Sequence, residues 1–496
     1  MRILMVSSEV APWAKAGGLA DAVGALSEAL ARAGHELKVV MPRYYRVDRD
    51  ALEDTGLRVG SGFGEADAAV YATPLEDSGG TLYLLDREDL YGRDGIYGVP
   101  GETDFRDNPA RYAFLCRGAL ELCRVLEWEP DVVHAHDWPT ALMAVLVAEA
   151  RASELPFFHK TASVLSIHNL GYQGVYPATD FERLGLAPDR FDQAGFEHYG
   201  RMNLLKAGLT MADALSTVSP TYAREIQTPD FGFGLDGLLR WRSADLVGIL
   251  NGVDLGDWNP ATDPYIAARY DAADLSGKAA CKAALQREFG LPENPDVPLV
   301  AMISRLADQK GIGELFGPMY GAAWPICSEM DLQFAVLGSG EAWCERELSI
   351  LSSRLPNFKA RVGMDERLAH VVEAGADFFL MPSRYEPCGL SQLYSLRYGT
   401  LPVVRRTGGL ADTVENYEQA TGEGTGFVFD DLTPRAIYDT VGWAVWAWYN
   451  KGEHIEAMRA RAMGRVFSWD RAATEYLALY RRAIARARGE PIEENE

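Results

Sequence analysis

The pentapeptide Gly-Gly-Leu-Ala-Asp occurs twice, within Lys15–Asp21 (Lys-Ala-Gly-Gly-Leu-Ala-Asp) and within Thr407–Asp412 (Thr-Gly-Gly-Leu-Ala-Asp). Each copy follows a short apolar run, Ile3–Val6 or Leu401–Val404, and precedes a helical pattern. Both copies therefore predict a strand, a glycine turn and the start of a helix. Glycine lets a ligand approach the backbone closely, and N–H groups at a helix start attract negative charge. The repeat thus predicts two similar α/β units with an anionic ligand between them.

A glycine pair before a helix is also common in plain strand-to-helix connections. The spacing here matches neither the G-x-G-x-x-G dinucleotide fingerprint nor a P-loop. Positive charge beside the two turns favours a phosphate ligand, since Lys15 lies at the edge of the first copy and Arg405 and Arg406 precede the second. We therefore predict that Gly17 and Gly18 help to bind a phosphate.

The length of 496 residues exceeds one ordinary core and predicts two domains of roughly 200–250 residues each. A segment rich in turn residues, 251–262, predicts a hinge between them. In chain order, the sequence predicts an N-terminal domain over 1–250, the hinge over 251–262, a C-terminal domain over 263–468, an amphipathic helix over 469–488 and a disordered acidic tail over 489–496.

The net charge of −23 argues against a nucleic-acid or anionic-membrane partner, because both require a basic surface. The six cysteines form no C-x-x-C pair and no metal-binding spacing, which is typical of a reduced, cytoplasmic protein. The N-terminal apolar run is too short for a signal peptide, and no uncharged apolar run of roughly 18 residues predicts a membrane span.

From residue 1 to about 250, short apolar strands alternate with helical patterns, which predicts a mostly parallel sheet covered by helices. Ligands bind beyond the carboxyl ends of such strands, so the polar residues that follow each strand are the candidates. Asp137 and His168 each follow an apolar run, and Tyr97 lies in a glycine-rich surface loop. His134 and His136 share one face of a strand, but the sequence offers no third ligand, and we predict no metal site.

The second α/β series begins at Leu299–Ile303, and its strand ends carry charged residues. Arg305 and Lys310 follow the first strand, and Glu386 follows the strand over 378–381. An arginine fork with a nearby lysine suits a diphosphate, since it combines a bidentate contact with a point charge. Two solvated surface cations are the alternative reading of the Arg305 and Lys310 pair.

Four motifs, in chain order, resemble the bacterial glycogen synthase and plant starch synthase family. These are Lys-Ala-Gly-Gly-Leu (15–19), His-Asn-Leu-Gly-Tyr-Gln-Gly (168–174), Ser-Arg-Leu (304–306) with Lys-Gly (310–311), and Arg-Tyr-Glu-Pro-Cys-Gly-Leu (384–390). The resemblance covers nearly the whole chain. It implies the GT-B fold, with two Rossmann-like domains facing across a cleft and the last helix crossing back to the N-terminal domain.

The resemblance also implies a retaining transfer of glucose from ADP-glucose to the 4-OH end of an α-1,4-glucan. No metal and no cofactor is implied, because Arg305 and Lys310 would stabilise the departing diphosphate, with Lys15, Gly17 and Gly18 beside it. The first domain is then the acceptor domain and the second the nucleotide-sugar domain. The resemblance does not specify the oligomeric state.

The family's residue roles transfer to matching positions of this chain. His168 would lie near the anomeric carbon, Asp137 would bind a sugar hydroxyl or lie near the acceptor, and Glu386 would bind the donor glucose. Further substrate contacts are implied for the following residues: Tyr97, Asn169, Asn251, Cys388, Gly389, Leu390 and Ser391. No second carboxylate stands at the spacing of a retaining hydrolase, so Glu386 is not expected to be a nucleophile.

One departure from the family bears on the donor. Met364 stands where many relatives have an aromatic residue stacked on the nucleobase. Two alternatives therefore stay open: a UDP-glucose-dependent GT-B glucosyltransferase, for example of the sucrose synthase type, and an inactive glucan-binding paralogue. Tyr394 replaces a second glutamate that many other GT-B transferases carry, which favours this family over those. Lys15, Arg305, Lys310 and Glu386 together argue against the inactive paralogue.

Overall fold

The fold is given by a computed structural model, which describes residues 1–60, 67–75, 78–99, 104–153 and 157–491. The chain divides into two compact units. The first unit contains Met1–Gly252 and the segment from Trp469 onward, and the second contains Val253–Ser468. No helix in the described ranges has both the length and the apolarity that a bilayer crossing requires.

Within the described ranges, twelve strands belong to the first unit. In chain order they are β1 (Arg2–Val6), β2 (Glu36–Pro42), β3 (Glu53–Val59), β4 (Ala68–Pro74), β5 (Thr81–Asp86), β6 (Val132–His136), β7 (Ala162–Ile167), β8 (Val175–Pro177), β9 (Glu197–His198), β10 (Arg201–Asn203), β11 (Ala214–Thr217) and β12 (Leu246–Gly248). Nine of them form one sheet in the order β12-β11-β7-β6-β1-β2-β5-β4-β3, and β8-β10-β9 form a small antiparallel sheet.

The large sheet is parallel from β12 to β5, and its last two pairs, β5 with β4 and β4 with β3, are antiparallel. This confirms the prediction of a mostly parallel sheet. The chain leaves β1 for β2 on one side and later returns to the other side of β1 at β6. Ligands bind at such a switch point in open α/β sheets. The residues after β1, β6 and β7 therefore share one edge of the sheet.

The second unit contains one six-stranded sheet. Its strands are β13 (Leu299–Leu306), β14 (Gln333–Gly340), β15 (Phe358–Val362), β16 (Phe378–Met381), β17 (Leu401–Arg405) and β18 (Phe427–Phe429). All pairs are parallel, in the order β15-β14-β13-β16-β17-β18. The order reverses between β13 and β16, so the segments that follow these two neighbouring strands lie at the switch point.

Both faces of this second sheet are buried because apolar side chains alternate between them along each strand. On β16, Phe378 and Leu380 pack into one core cluster, and Phe379 and Met381 pack into the other. The strands consequently read as continuous apolar runs, which is why they were recognisable in the sequence.

The helices that cover the sheets are these, in chain order: α1 (Gly18–Arg32), α2 (Glu88–Tyr91), α3 (Asn108–Val125), α4 (Asp137–Thr140), α5 (Leu142–Ala152), α6 (Leu204–Met211), α7 (Pro220–Glu225), α8 (Asp236–Trp241), α9 (Ser276–Phe289), α10 (Ile312–Phe316), α11 (Ala323–Glu329), α12 (Ala342–Arg354), α13 (Glu366–Gly375), α14 (Ser391–Arg397), α15 (Gly408–Thr413), α16 (Pro434–Asn450), α17 (Gly452–Met463) and α18 (Trp469–Arg488). Short 3-10 turns occur at Arg49–Ala51, Ala178–Leu184, Pro188–Arg190, Ser243–Asp245 and Asp308–Lys310.

Helix α18 belongs to the first unit, although the second unit precedes it in the chain. Its apolar stripe is buried at Tyr476, Leu479 and Tyr480, as the amphipathic pattern predicts. The Tyr480 hydroxyl lies 2.8 Å from His134 Nδ1, so this helix contacts the centre of the first sheet. Of the tail 489–496, residues 492–496 lie outside the described residues.

Most of the predicted hinge, 251–262, is packed within the second unit. Trp258 is sandwiched between His370 and Tyr394, with ring centroids 3.9 Å away on each side and interplanar angles of 9° and 5°. Val253 donates its N–H to the Phe467 carbonyl at 2.8 Å. Turn composition predicted a hinge in this segment, and in the structure stacking fixes the part that contains Trp258.

Candidate functional site

In the second unit, Lys310 and Glu386 form an ion pair at the switch point. Lys310 Nζ lies 2.5 Å from Glu386 Oε2, and the Ser383 hydroxyl donates to the same oxygen at 2.9 Å. The Glu386 side chain is 7% exposed and that of Lys310 is 17% exposed. A carboxylate this buried keeps its charge only with partners of this kind. The arrangement holds one carboxylate and one ammonium group in a fixed mutual geometry.

The strand order explains why residues far apart in sequence meet here. Lys310 follows β13 and Glu386 follows β16, and these strands are neighbours. The two connecting segments are joined further by the Gln309 carbonyl, which accepts the Arg384 N–H at 2.8 Å, and by the Gln309 side-chain amide, which donates to the Tyr385 carbonyl at 3.3 Å. The backbone around Glu386 is thus fixed to the backbone around Lys310.

The second Gly-Gly turn packs beneath Glu386, which corrects our prediction that it binds an anion. The Gly409 N–H donates to the Glu386 carbonyl at 3.1 Å and lies 3.2 Å from that of Pro387. A Cβ on Gly408 would overlap the Glu386 carbonyl oxygen, and one on Gly409 would overlap that of Cys388. Glycine is required here because two backbone segments touch, and the Gly409 N–H is already bonded.

The two arginines before that turn also differ from expectation. Arg406 pairs with the Asp430 carboxylate at 2.7 Å, and Arg405 Nε donates to the Asp430 carbonyl at 3.0 Å. Both therefore hold the segment after β18. Arg305, in contrast, is exposed at the end of β13, and its Nη2 lies 3.4 Å from Gln309 Oε1. The cationic pair that remains at this edge is Arg305 with Lys310.

The segment Cys388–Ser391 connects Glu386 to α14. Cys388 is buried, and Gly389 adopts a positive φ of 71°. The side-chain amide of Gln392 donates to the Cys388 carbonyl at 2.9 Å and to the Gly389 carbonyl at 2.8 Å, which fixes the turn from within. Leu390 immediately precedes the helix and Ser391 is its first residue. Met364, at the expected nucleobase position, is exposed.

In the first unit, Asp137 occupies the corresponding position after β6. It is held at a positive φ of 56°, uncommon for a residue other than glycine. Its Oδ1 accepts the backbone N–H groups of His168 at 2.7 Å and Asn169 at 3.3 Å. Burial raises the pKa of the Asp137 carboxyl to about 7, while the two amides oppose that rise. The carboxyl therefore titrates near neutral pH.

Three histidines form a column beneath Asp137. His168 Nε2 lies 3.0 Å from His136 Nδ1, and the rings of His136 and His134 are 4.1 Å apart. His134 Nε2 lies 2.6 Å from the Ser166 hydroxyl. Burial lowers the pKa of His134 to about 3 and that of His168 to about 4, and it lowers that of His136 as well. The column is therefore neutral at pH 7.

Glu9 is the principal residue that the sequence analysis missed. It follows β1, is 2% exposed, and accepts the N–H groups of Ala16 and Gly17, the latter at 3.1 Å. Its other oxygen accepts the Tyr97 hydroxyl, which lies 2.8 Å from that of Ser8. Burial raises the pKa of Glu9. Glu9 closely follows a strand, as Asp137 does, so the polar residues after predicted strands could have included it.

These contacts differ from two local expectations, while the substrate contacts expected for Gly17 and Tyr97 stay predictions. The Gly17 N–H is bonded to a carboxylate of this chain, so it is not directed at a phosphate here. Tyr97 was expected in a surface loop, yet its ring packs near Tyr112 and Trp138, with centroids 6.2 and 6.0 Å away. Lys15 lies three residues before Gly18, which begins α1, and its half-exposed side chain pairs with Asp21 at 2.8 Å.

The two remaining candidate residues are Asn169 and Asn251. Asn169 follows His168, and its Oδ1 accepts the Gly171 N–H at 3.0 Å. Asn251 is buried near the end of the first unit. Within the ranges that the structure describes, no three His, Cys, Asp or Glu side chains form a metal-ligand group.

Both units match known protein families. The family model described as "Starch synthase catalytic domain" matches residues 2–241, and that described as "Glycosyl transferases group 1" matches residues 286–453. A glycogen synthase of Treponema denticola is 55% identical, with 98% of this chain and 99% of the relative covered. Glycogen synthase 1 of Geobacter metallireducens is 49% identical, with coverages of 99% and 97%.

A solved structure agrees with these relatives. The catalytic domain of starch synthase IV from Arabidopsis thaliana, bound to ADP and acarbose, has a TM-score of 0.87 and 30% sequence identity, with 98% of this chain and 99% of that chain covered. The expected two-domain α/β GT-B fold is thereby confirmed. This chain belongs to the glycogen synthase and starch synthase family of glycosyltransferases.

Proposed function

We propose that the protein transfers glucose, with retention of configuration, from ADP-glucose to the non-reducing end of an α-1,4-glucan. The observation that carries the proposal is the buried Lys310–Glu386 pair, with Ser383, at the switch point of the second sheet. The full-length glycogen synthase relatives and the ADP and acarbose bound to the starch synthase neighbour support the same donor and acceptor class.

The charge of the second unit fits a departing diphosphate. Breaking the anomeric C–O bond places negative charge on the nucleoside diphosphate, and preorganised cations near that charge lower the barrier. Lys310 is held in place by Glu386, and Arg305 extends from the end of the same strand. We assign both cations to the diphosphate. They supply the positive charge that a metal provides elsewhere, so we expect no metal or organic cofactor requirement.

Glu386 is assigned to the donor glucose. Its Oε2 is occupied by Lys310 and Ser383, which leaves Oε1 to accept a sugar hydroxyl. A carboxylate neutralised by a lysine is a weak nucleophile, so retention follows from attack on the same face with help from the leaving phosphate. The turn over Cys388, Gly389, Leu390 and Ser391 is assigned to the phosphate and sugar contacts beside it.

The first unit is assigned to the acceptor and to the sugar at the reacting carbon. Asp137, with a pKa of about 7, can accept a hydrogen bond from an acceptor hydroxyl when it is ionised. His168 is neutral and is oriented by His136, so it can bind a hydroxyl without adding charge. Further contacts are assigned to Lys15, Gly17, Gly18, Tyr97, Asn169 and Asn251. Gly17 contributes through close approach rather than through its N–H, because Glu9 holds that group.

The assay uses the purified chain with glycogen and either ADP-[14C]glucose or UDP-[14C]glucose, with and without EDTA. We expect incorporation from ADP-glucose that is insensitive to EDTA and that β-amylase releases as maltose, which reports the α-1,4 linkage. Faster incorporation from UDP-glucose would reject the donor assignment. Absence of incorporation from both donors would reject the enzymatic function and leave a glucan-binding protein.

A further inference from the structure

Two exposed turns of the first unit share an unusual pattern, an aromatic residue followed by glycine with both at positive φ. Tyr199 and Gly200 have φ of 50° and 75°, and Phe233 and Gly234 have φ of 49° and 82°. Tyr199 is 86% exposed and Phe233 is 42% exposed. Bulky residues are rare in this region of φ, because the Cβ meets the backbone there.

The hairpin does not require an aromatic side chain at Tyr199. Tyr199 and Gly200 join β9 to β10 as a two-residue hairpin loop, since His198 pairs directly with Arg201. Positive φ at both central residues is the requirement of a type I′ turn, and asparagine or glycine satisfies it with less strain. The ring of Tyr199 is in solvent, so it does not repay this strain by burial. Strain of this kind occurs where a side chain serves a ligand.

The two turns are neighbours. A Cβ on Gly234 would lie 3.5 Å from His198 Nε2, and the rings of His198 and Tyr199 are 4.6 Å apart. His198 therefore lies between Tyr199 and the Phe233–Gly234 turn. A third exposed aromatic residue, Tyr172, is 52% exposed on the segment that begins at His168.

The side chain of Gln173 ties these parts to the proposed reaction site. Its amide donates to the Phe233 carbonyl at 3.1 Å, and its Oε1 accepts from Asn203 at the end of β10, at 2.7 Å. Gln173 follows Tyr172 directly and lies five residues beyond His168. One side chain thus holds the 233–234 turn and β10 against the segment that carries His168 and Asn169.

We propose that Tyr172, Tyr199 and Phe233 form a platform that binds an α-1,4-glucan chain beyond the sugar that reacts. This inference rests on the proposed function. Rigid aromatic faces supply large contact area at low entropic cost and pack on the apolar faces of pyranose rings, while Gln173 and His198 provide polar contacts beside them. A neutral polysaccharide also suits a chain with a net charge of −23, which repels polyanions.

The test compares Tyr199→Gly, Phe233→Gly and the double variant with Tyr320→Ala as a matched control. Tyr320 is similarly exposed, at 79%, but belongs to the second unit. For the single variants we expect the KM for glycogen and maltoheptaose to rise by about three- to tenfold, the value of one aromatic contact. The KM values for maltose and for the donor should not change, and Tyr320→Ala should behave as the unmodified protein.

Two further measurements separate ligand binding from a structural role. Glycine relieves the strain at φ of 50°, so Tyr199→Gly should raise the melting temperature while it weakens glucan binding. Tyr199→Trp should restore the affinity. Unchanged KM values for long acceptors, an equal rise for maltose, or a changed oligomeric state with unchanged KM would each overturn the platform.

Affinity electrophoresis in gels with and without glycogen gives a readout that does not need catalysis. Retardation of the unmodified chain that is reduced in the double variant, but not in Tyr320→Ala, supports the platform even if the chain fails to transfer glucose from ADP-glucose. That failure would reject the proposed function alone. Equal retardation of the unmodified chain, the double variant and Tyr320→Ala would reject the platform alone.

Discussion

The Lys310–Glu386 pair makes a prediction in which stability and activity respond differently to the same substitutions. Lys310→Met removes one partner of a pair whose carboxylate is 7% exposed, and Ser383 is the one donor that the structure then leaves on Glu386 Oε2. Breaking a buried pair from one side costs about 3–5 kcal/mol. Because Lys310 is 17% exposed and water can partly replace it, we expect about 3 kcal/mol.

In a domain of this size, a loss of about 3 kcal/mol lowers the melting temperature by roughly 6–12 °C. The double variant Lys310→Met with Glu386→Gln removes both charges, so no unpaired carboxylate remains buried. We expect its stability to return to within about 1 kcal/mol of the unmodified protein. Thermal unfolding of the two single variants and the double variant measures this coupling.

Activity should not return with stability. Each single variant is expected to lower kcat by about 10²-fold or more, because each removes one preorganised charge, and the double variant should be at least as slow. The measurement is the initial rate of glucose incorporation at saturating donor and acceptor. Stability losses that simply add in the double variant would refute the buried-pair reasoning. A kcat within tenfold of normal for Lys310→Met would refute the assignment to the diphosphate.

Three other substitutions, with Gly313→Ala as a control for one of them, test further features of the two units. Asp137→Asn keeps an acceptor oxygen and tolerates positive φ, so we expect an unchanged melting temperature and a kcat lower by about 10²-fold; a normal kcat would reject its role. Gly409→Ala forces its Cβ into the Cys388 carbonyl and should lower both stability and kcat. Gly313→Ala is the control, because the space around Gly313 is open and the protein should not be destabilised. Equal effects of the two substitutions would contradict the packing argument. Burial lowers the pKa of His134 from 6.5 to about 3. Below pH 6.5 the unfolded chain binds a proton at this residue and the folded chain does not. The folded state therefore loses stability as the pH falls from 6.5 toward 3. His134→Gln should therefore flatten the fall in the free energy of unfolding between pH 6.5 and 4 by up to about 1.4 kcal/mol per pH unit. An unchanged slope, measured by denaturant unfolding at each pH, would contradict this assignment.

Much of the architecture could be read from local patterns. The apolar runs predicted parallel strands because strands buried on both faces need apolar side chains at every position, as Phe378 and Leu380 on one face and Phe379 and Met381 on the other now illustrate. The same patterns located Lys310 and Glu386 at strand ends. Their chemistry followed from residue type and position alone.

The pairing of those residues was decided only by the tertiary structure. Lys310 meets Glu386 because β13 and β16 are neighbours, and strand order is a property of the whole sheet rather than of any segment. For the same reason the sequence could not show that Glu9 holds the Gly17 N–H, or that the second glycine pair packs beneath Glu386. Periodicity records that a residue is buried or exposed, whereas its partner is set by contacts between segments that are distant in the chain.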